Sequence, residues 1–79
     1  NKEEFQNIIM RDSFKAIKEA IKNNLKTVEL FNIVNLSIII KISSLYYPSA
    51  LKKISKYFEG NEEYEKCAEI KVILNNLEK

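Results

Sequence analysis

Histidine is absent from this sequence of 79 residues, and so is tryptophan. Without imidazole there is no Ser-His-Asp arrangement, no histidine general base and no histidine metal ligand. Cys67 is the single cysteine, so an internal disulfide is excluded and a zinc site lacks its partners. A lone thiol without a neighbouring imidazole is also a poor nucleophile. The thirteen basic residues include one arginine, Arg11, which leaves little capacity for bidentate phosphate contacts. One Gly and one Pro leave little loop chemistry and favour a few long elements joined tightly. These shortages point away from an enzyme. No catalytic, cofactor-binding or metal-binding residue is expected, and no cofactor.

What is present is aliphatic. The sequence holds 46% hydrophobic residues, enough for a core and too many for a disordered chain. It is short enough that a single core only just offsets chain entropy, so one domain over residues 1–79 is expected. Twelve isoleucines against seven leucines, with nine asparagines, suggest an AT-rich coding genome such as a low-GC bacterium or its phage. No signal-peptide pattern opens the sequence and the lone thiol suits a reducing compartment, so a cytoplasmic protein is expected.

The most apolar stretch, Val28–Tyr47, has 13 apolar residues in 20. It is long enough to span a membrane, but Glu29, Asn32, Asn35, Lys41, Ser43 and Ser44 interrupt it, and no membrane span is expected. Two periods compete inside it. Phe31, Val34, Ile38, Ile42 and Leu45 step by three and four, which is helical. Val34, Leu36, Ile38, Ile40 and Ile42 alternate with Asn35, Ser37, Ile39, Lys41 and Ser43, a strand pattern in β-branched residues. A strand needs a hydrogen-bonding neighbour and none is evident elsewhere in the sequence, so the stretch reads as a buried helix. The alternative is that residues 34–43 form a strand paired with a second copy of the chain.

The flanks are amphipathic. Met10, Phe14, Ile17 and Ile21 form a helical stripe within residues 3–24, with Phe5 and Ile9 a turn earlier. Asp12-Ser13 could cap a second helix there, and Asn23-Asn24 suit an exit. Thr27 and Glu29 suit the start of the central helix. Pro48 disfavours helical geometry at Tyr47 and suits the first turn of the next helix. That helix turns Ala50, Leu51, Ile54, Tyr57 and Phe58 inward. Gly60 fits a left-handed closing residue and Asn61 a cap. The last helix follows, with Tyr64, Cys67, Ala68, Ile70, Ile73, Leu74 and Leu77 on its apolar side. The expected fold is all-α: a small four-helix domain, about 3–24, 28–47, 49–59 and 61–78, ending in a helical hairpin.

Tyr64-Glu65-Lys66-Cys67-Ala68-Glu69-Ile70 follows the order aromatic, acid, base, two small residues, acid, aliphatic. Residues 51–78 thereby resemble the UVR motif, the helical hairpin through which excinuclease subunits pair. The resemblance departs at Lys71-Val72, where the motif has Arg-Asp. It implies hairpin-on-hairpin protein association rather than chemistry.

Charge is unevenly placed. Residues 41–58 carry Lys41, Lys52, Lys53 and Lys56 with no acid, and residues 59–79 carry three basic and six acidic groups. Glu59, Glu62, Glu63, Glu65 and Glu69 lack the spacing of a calcium loop and read as helix capping and solvation. Arg11, Lys15, Lys18, Lys22 and Lys26 recur at steps of four and three and would form one basic face. Tyr46, Tyr47, Tyr57 and Phe58 interleave with the basic middle, as in single-strand nucleic-acid binders. The expected partner-binding residues are therefore Arg11, Lys15, Lys18, Lys22, Lys26, Tyr46, Tyr47 and Tyr57. The expected function is a small non-enzymatic helical protein–protein interaction module, a regulator or inhibitor of the kind phages and mobile elements encode. A protein partner is expected, with self-association a further expectation; the alternative is a nucleic-acid-binding module using the basic face.

Overall fold

A computed structural model describes the backbone over residues 2–33 and 38–78, and the side chains over 2–30 and 41–78. In order, the elements are helix α1 (Lys2–Lys22), strands β1 (Thr27–Ile33) and β2 (Ile38–Ser43), a 3-10 turn (Ser44–Tyr46), helix α2 (Tyr47–Gly60) and helix α3 (Tyr64–Leu77). The protein is mainly helical, but it has three helices and a two-stranded sheet among the described residues rather than four helices. None of these helices is long and apolar enough to cross a membrane. The chain divides into two compact units, Asn1–Tyr47 and Pro48–Lys79.

In the first unit, α1 runs unbroken through Asp12-Ser13, so no second helix starts there. Its buried stripe is Ser13, Phe14, Ile17 and Ala20, while Met10 and Ile21 are half-buried at its margins and Phe5 is exposed. The helix packs against β1. It exits through a Schellman motif: Leu25 N donates to Ala20 O at 2.8 Å and Asn24 N to Ile21 O at 3.2 Å. Asn24 takes the left-handed position at φ 56°, which asparagine tolerates better than most residues because its amide can bond locally. The expected Asn23-Asn24 exit is therefore in place.

The expected helix over 28–47 is instead an antiparallel ribbon, and this is the main correction to the sequence reading. Thr27 pairs with Ser43, Val28 with Ile42 and Glu29 with Lys41; after a shift, Phe31 pairs with Ile40, Asn32 with Ile39 and Ile33 with Ile38. The neighbour that β2 needs lies in the same chain, so the pairing with a second copy is not required either. Leu30 is the extra residue, a β-bulge in which two residues of β1 oppose one of β2. The bulge also explains why β1 hides in the sequence. By the two-residue strand period, the shifted register puts positions 28, 31 and 33 on one face with 38, 40 and 42. All six are apolar, yet 28, 31 and 33 do not alternate. Val34 and Leu36, from the expected strand pattern, lie outside the described residues. Thr27 begins a strand rather than capping a helix, and Glu29 meets Lys41 across the ribbon at 4.0 Å.

After the ribbon, Ser43 Oγ accepts from Leu45 N at 3.3 Å and starts the 3-10 turn. Tyr47 then has φ −56° and ψ −45°. It is helical despite preceding Pro48, against the expected extended geometry. Pro48 is the second residue of α2, where no helical donor is lost.

The second unit is a helical hairpin, as expected. Leu51, Ile54 and Phe58 of α2 and Ile70 of α3 are buried, and Cys67, Ile73 and Leu74 are half-buried. Tyr64 and Ala68 are exposed, which removes them from the expected apolar side. The turn differs in detail. Glu63 N donates to Phe58 O at 2.8 Å and Glu62 N to Glu59 O at 3.0 Å, a second Schellman motif. Its left-handed residue is Glu62, at φ 61°, whereas Gly60 ends α2 without a positive φ. Asn61 is not the cap of α3. That place belongs to Glu63, whose carbonyl accepts from Lys66 N and Cys67 N at 3.2 and 3.3 Å while its side chain makes no capping bond.

Candidate functional site

The basic face of α1 is assembled in part. Arg11, Lys15, Lys18 and Lys22 lie on the helix, but Lys26 follows the Asn24 turn and belongs to the link into β1. There its carbonyl accepts from Ser44 N at 2.7 Å, closing the open end of the ribbon. Arg11 is half-buried and its Nε donates to Asn7 Oδ1 at 2.9 Å. Lys18 is half-buried with its Nζ 4.5 Å from the centre of the Phe14 ring, a cation–π contact that covers a core aromatic. Lys15 and Lys22 are exposed. The stripe thus serves two ends, with Arg11 and Lys18 tied to α1 itself and Lys15 and Lys22 open to solvent.

The aromatic residues separate more sharply. Tyr46 is 62% exposed in the 3-10 turn, beside Leu45 at 83%. Tyr47 is only 2% exposed, and its hydroxyl donates to Leu25 O at 2.9 Å, bridging 22 residues of sequence. Burial pushes its pKa above the ordinary tyrosine value. It is a structural tie in the first unit rather than a contact residue. Tyr57 is half-buried and meets Phe58 edge to face, with ring centres 5.7 Å apart, and Phe58 is fully buried. Of the four interleaved aromatics, Tyr46 alone presents an exposed ring as a stacking platform.

In the helical hairpin, Lys52, Ser55 and Lys56 of α2 face Cys67, Ile70, Lys71 and Leu74 of α3 across an open groove of about 490 Å³. Cys67 Sγ donates to Ser55 O at 3.4 Å, so the thiol helps close the helix pair. Lys66 Nζ lies 5.9 Å from the Phe58 ring centre and 4.0 Å from Glu63 Oε1. The sequence places Lys52 and Lys56 in the basic middle, but neither they nor Lys71 are among the expected partner-binding residues. Their spacing was visible, since 52 and 56 are one turn apart on α2 and 67, 71 and 74 follow one line on α3. Which line of α2 faces which line of α3 depends on the turn geometry set by Glu62. Leu45, which helical periodicity turns inward, is exposed, and so is Val72, which the expected apolar side of the last helix does not include.

Among the described residues no three His, Cys, Asp or Glu side chains come together in a way that could hold a metal. Glu62, Glu63, Tyr64, Glu65 and Lys66 line a separate, smaller hollow at the start of α3. The described surfaces present exposed cations, exposed apolar side chains and the groove between α2 and α3. No family model matches the chain, and searches of curated proteins and of solved structures find no significant match.

Proposed function

We propose that this chain is a small non-enzymatic interaction module that acts by occupying a surface of a protein partner, as a regulator or inhibitor of the type phages and mobile elements encode. The observation that carries the reading is the surplus of apolar residues on α3. Ile70 is sealed within the hairpin, while Tyr64, Ala68 and Val72, at i, i+4 and i+8, lie along one solvent-exposed line. A helix with one apolar side needs one covering; a second apolar line is a liability in water unless something covers it part of the time. The resemblance of residues 51–78 to a subunit-pairing hairpin supports the same reading. A second copy of the chain is one candidate cover.

The experiment is affinity capture from the source cell with wild-type protein and with the double variant Tyr64→Glu, Val72→Glu. Both positions are exposed, so the variant is expected to melt like wild type and to lose the captured protein. Retention of the same protein by the variant overturns the reading. Light scattering decides whether the cover is a second copy, since a dimer that the same variant dissociates identifies it. The nucleic-acid alternative rests on exposed Lys15, Lys22 and Tyr46. Reversal of Lys15, Lys18 and Lys22 to Glu would abolish binding to duplex or single-stranded DNA and flatten its salt dependence if that alternative holds.

A further inference from the structure

The groove between α2 and α3 has a composition unlike that of the chain around it. The chain as a whole carries 13 basic and 11 acidic residues. The groove is lined by three lysines, Lys52, Lys56 and Lys71, and by no carboxylate. Lys52 and Lys56 stand on the α2 rim and Lys71 on the α3 rim, all three exposed. Among the described residues none of the three pairs with an acid. Between the rims lie half-buried Cys67 and Leu74, an apolar floor closed beneath by fully buried Ile70. Lys52 and Lys56 are one helical turn apart, where like charges repel. An acidic occupant would convert that repulsion into attraction.

We infer that this groove is the docking site for an acidic amphipathic helix of a partner protein, with apolar anchors on half-buried Cys67 and Leu74 and carboxylates on the three lysines. The inference rests on the reading of the chain as a protein-interaction module and adds a second contact surface, distinct from the exposed Tyr64–Ala68–Val72 line, with the chemistry of its occupant. The groove, about 490 Å³, is open rather than enclosed. Those features suit a helix laid in a groove, which is read through anchors at i, i+3 or i+4 and i+7. A nucleic-acid backbone has no apolar face for the floor, and lysines without arginine give it no bidentate contacts. A lipid surface is too flat to reach between two helices.

The test is a selection from a displayed library of random helix-length peptides against the full chain, followed by anisotropy titration of the best synthetic peptide. Selected peptides are expected to carry net negative charge with helically spaced apolar residues. Their dissociation constant is expected to rise about tenfold or more in Lys52→Glu, Lys56→Glu, Lys71→Glu and to stay unchanged in Lys15→Glu, Lys18→Glu, Lys22→Glu. A charge-swapped peptide should recover binding to the first variant, which shows that it is folded. Bound peptide should also slow maleimide labelling of Cys67, the chain's single thiol. Basic or uncharged selected peptides, binding indifferent to the groove reversal, or unslowed Cys67 labelling would each overturn the inference while leaving an interaction module standing. Competition of the peptide by phosphatidylserine vesicles would overturn it in favour of lipid. If no peptide is selected and DNA binding is lost in the Lys15, Lys18, Lys22 variant, the inference and the proposed function fall together.

Discussion

The chain contains two hairpins built on opposite principles. In the ribbon of β1 and β2, backbone groups are satisfied by a neighbouring strand, and the described apolar side chains Val28, Leu30 and Ile42 are only half-buried. In the hairpin of α2 and α3, each helix satisfies its own backbone, and four side chains, Leu51, Ile54, Phe58 and Ile70, are sealed from solvent. Among the described side chains, full apolar burial is found in the helical hairpin and not in the ribbon. Truncation of a core side chain should expose the difference. Phe58→Ala is expected to cost about 3–5 kcal/mol, a large share of the stability of so small a domain, whereas Ile42→Ala at a half-buried position should cost about 1–2 kcal/mol. Urea unfolding of the two variants measures both. Equal losses would remove the contrast.

The next effect concerns the aromatic residue that closes each unit. Phe58 has no polar atom, but Tyr47 spends its hydroxyl on Leu25 O. Tyr47→Phe keeps the ring and leaves a carbonyl short of one donor, for an expected loss of about 0.5–1.5 kcal/mol. The raised pKa of Tyr47 adds a sign. The unfolded chain releases this proton first, so the stabilisation is complete below about pH 10 and fades as pH climbs through the higher folded value. Subtracting a Tyr47→Phe pH–stability curve from that of wild type should leave an alkaline decline; a flat difference would mean that Tyr47 holds its proton no more tightly in the folded chain than in the unfolded one.

Smaller, but opposite in sign, is the effect expected at the two helix exits. Both use the same pair of backbone hydrogen bonds, yet Asn24 occupies the left-handed position in one and Glu62 in the other. Gly60 stands two residues early, in ordinary helix, and a methyl group there would meet nothing within 4 Å. Gly60→Ala is therefore expected to stabilise by about 0.5–1 kcal/mol through helix propensity and unfolded-state entropy. Glu62→Gly should stabilise by a similar amount, about 0.5–1 kcal/mol, by relieving the side chain at positive φ. Thermal melts of the two variants report the sign directly. If Gly60 were the left-handed residue, as its place in the sequence suggests, Gly60→Ala would instead destabilise.

These differences also explain what could be read from the sequence. The helical hairpin was legible because Leu51, Ile54 and Phe58 repeat at helical spacing and Pro48 marks the start of α2. The ribbon was not, because a single extra residue, Leu30, breaks the alternation of β1 and leaves β2 looking like a strand without a neighbour. Gly60 misled because residue type was weighed without the hydrogen-bond pattern that fixes which position turns left-handed. Among the candidate site residues, Lys15, Lys22 and Tyr46 are exposed. Tyr47 is not: an aromatic beside lysines has the same spacing whether its ring meets solvent or the core. The groove lysines needed the facing of two helices, which no one-dimensional pattern contains.

The smallest expected effect is also the cleanest test of the ribbon. Glu29 and Lys41 are both well exposed and 4.0 Å apart, so their attraction is worth only about 0.2–1 kcal/mol and weakens with salt. In the helix expected from the sequence, twelve residues of separation at about 1.5 Å per residue would hold them about 18 Å apart, beyond a Debye length at ordinary ionic strength. A double-mutant cycle on Glu29→Ala and Lys41→Ala should therefore return a coupling small but distinct from zero in the ribbon, and zero in a helix. Swapping the pair, Glu29→Lys with Lys41→Glu, should restore most of what either single reversal loses, because cross-strand partners meet in both orientations. A vanishing coupling at low salt, with the swap no better than the single reversals, would return residues 28–47 to a helix and dissolve the contrast between the two hairpins.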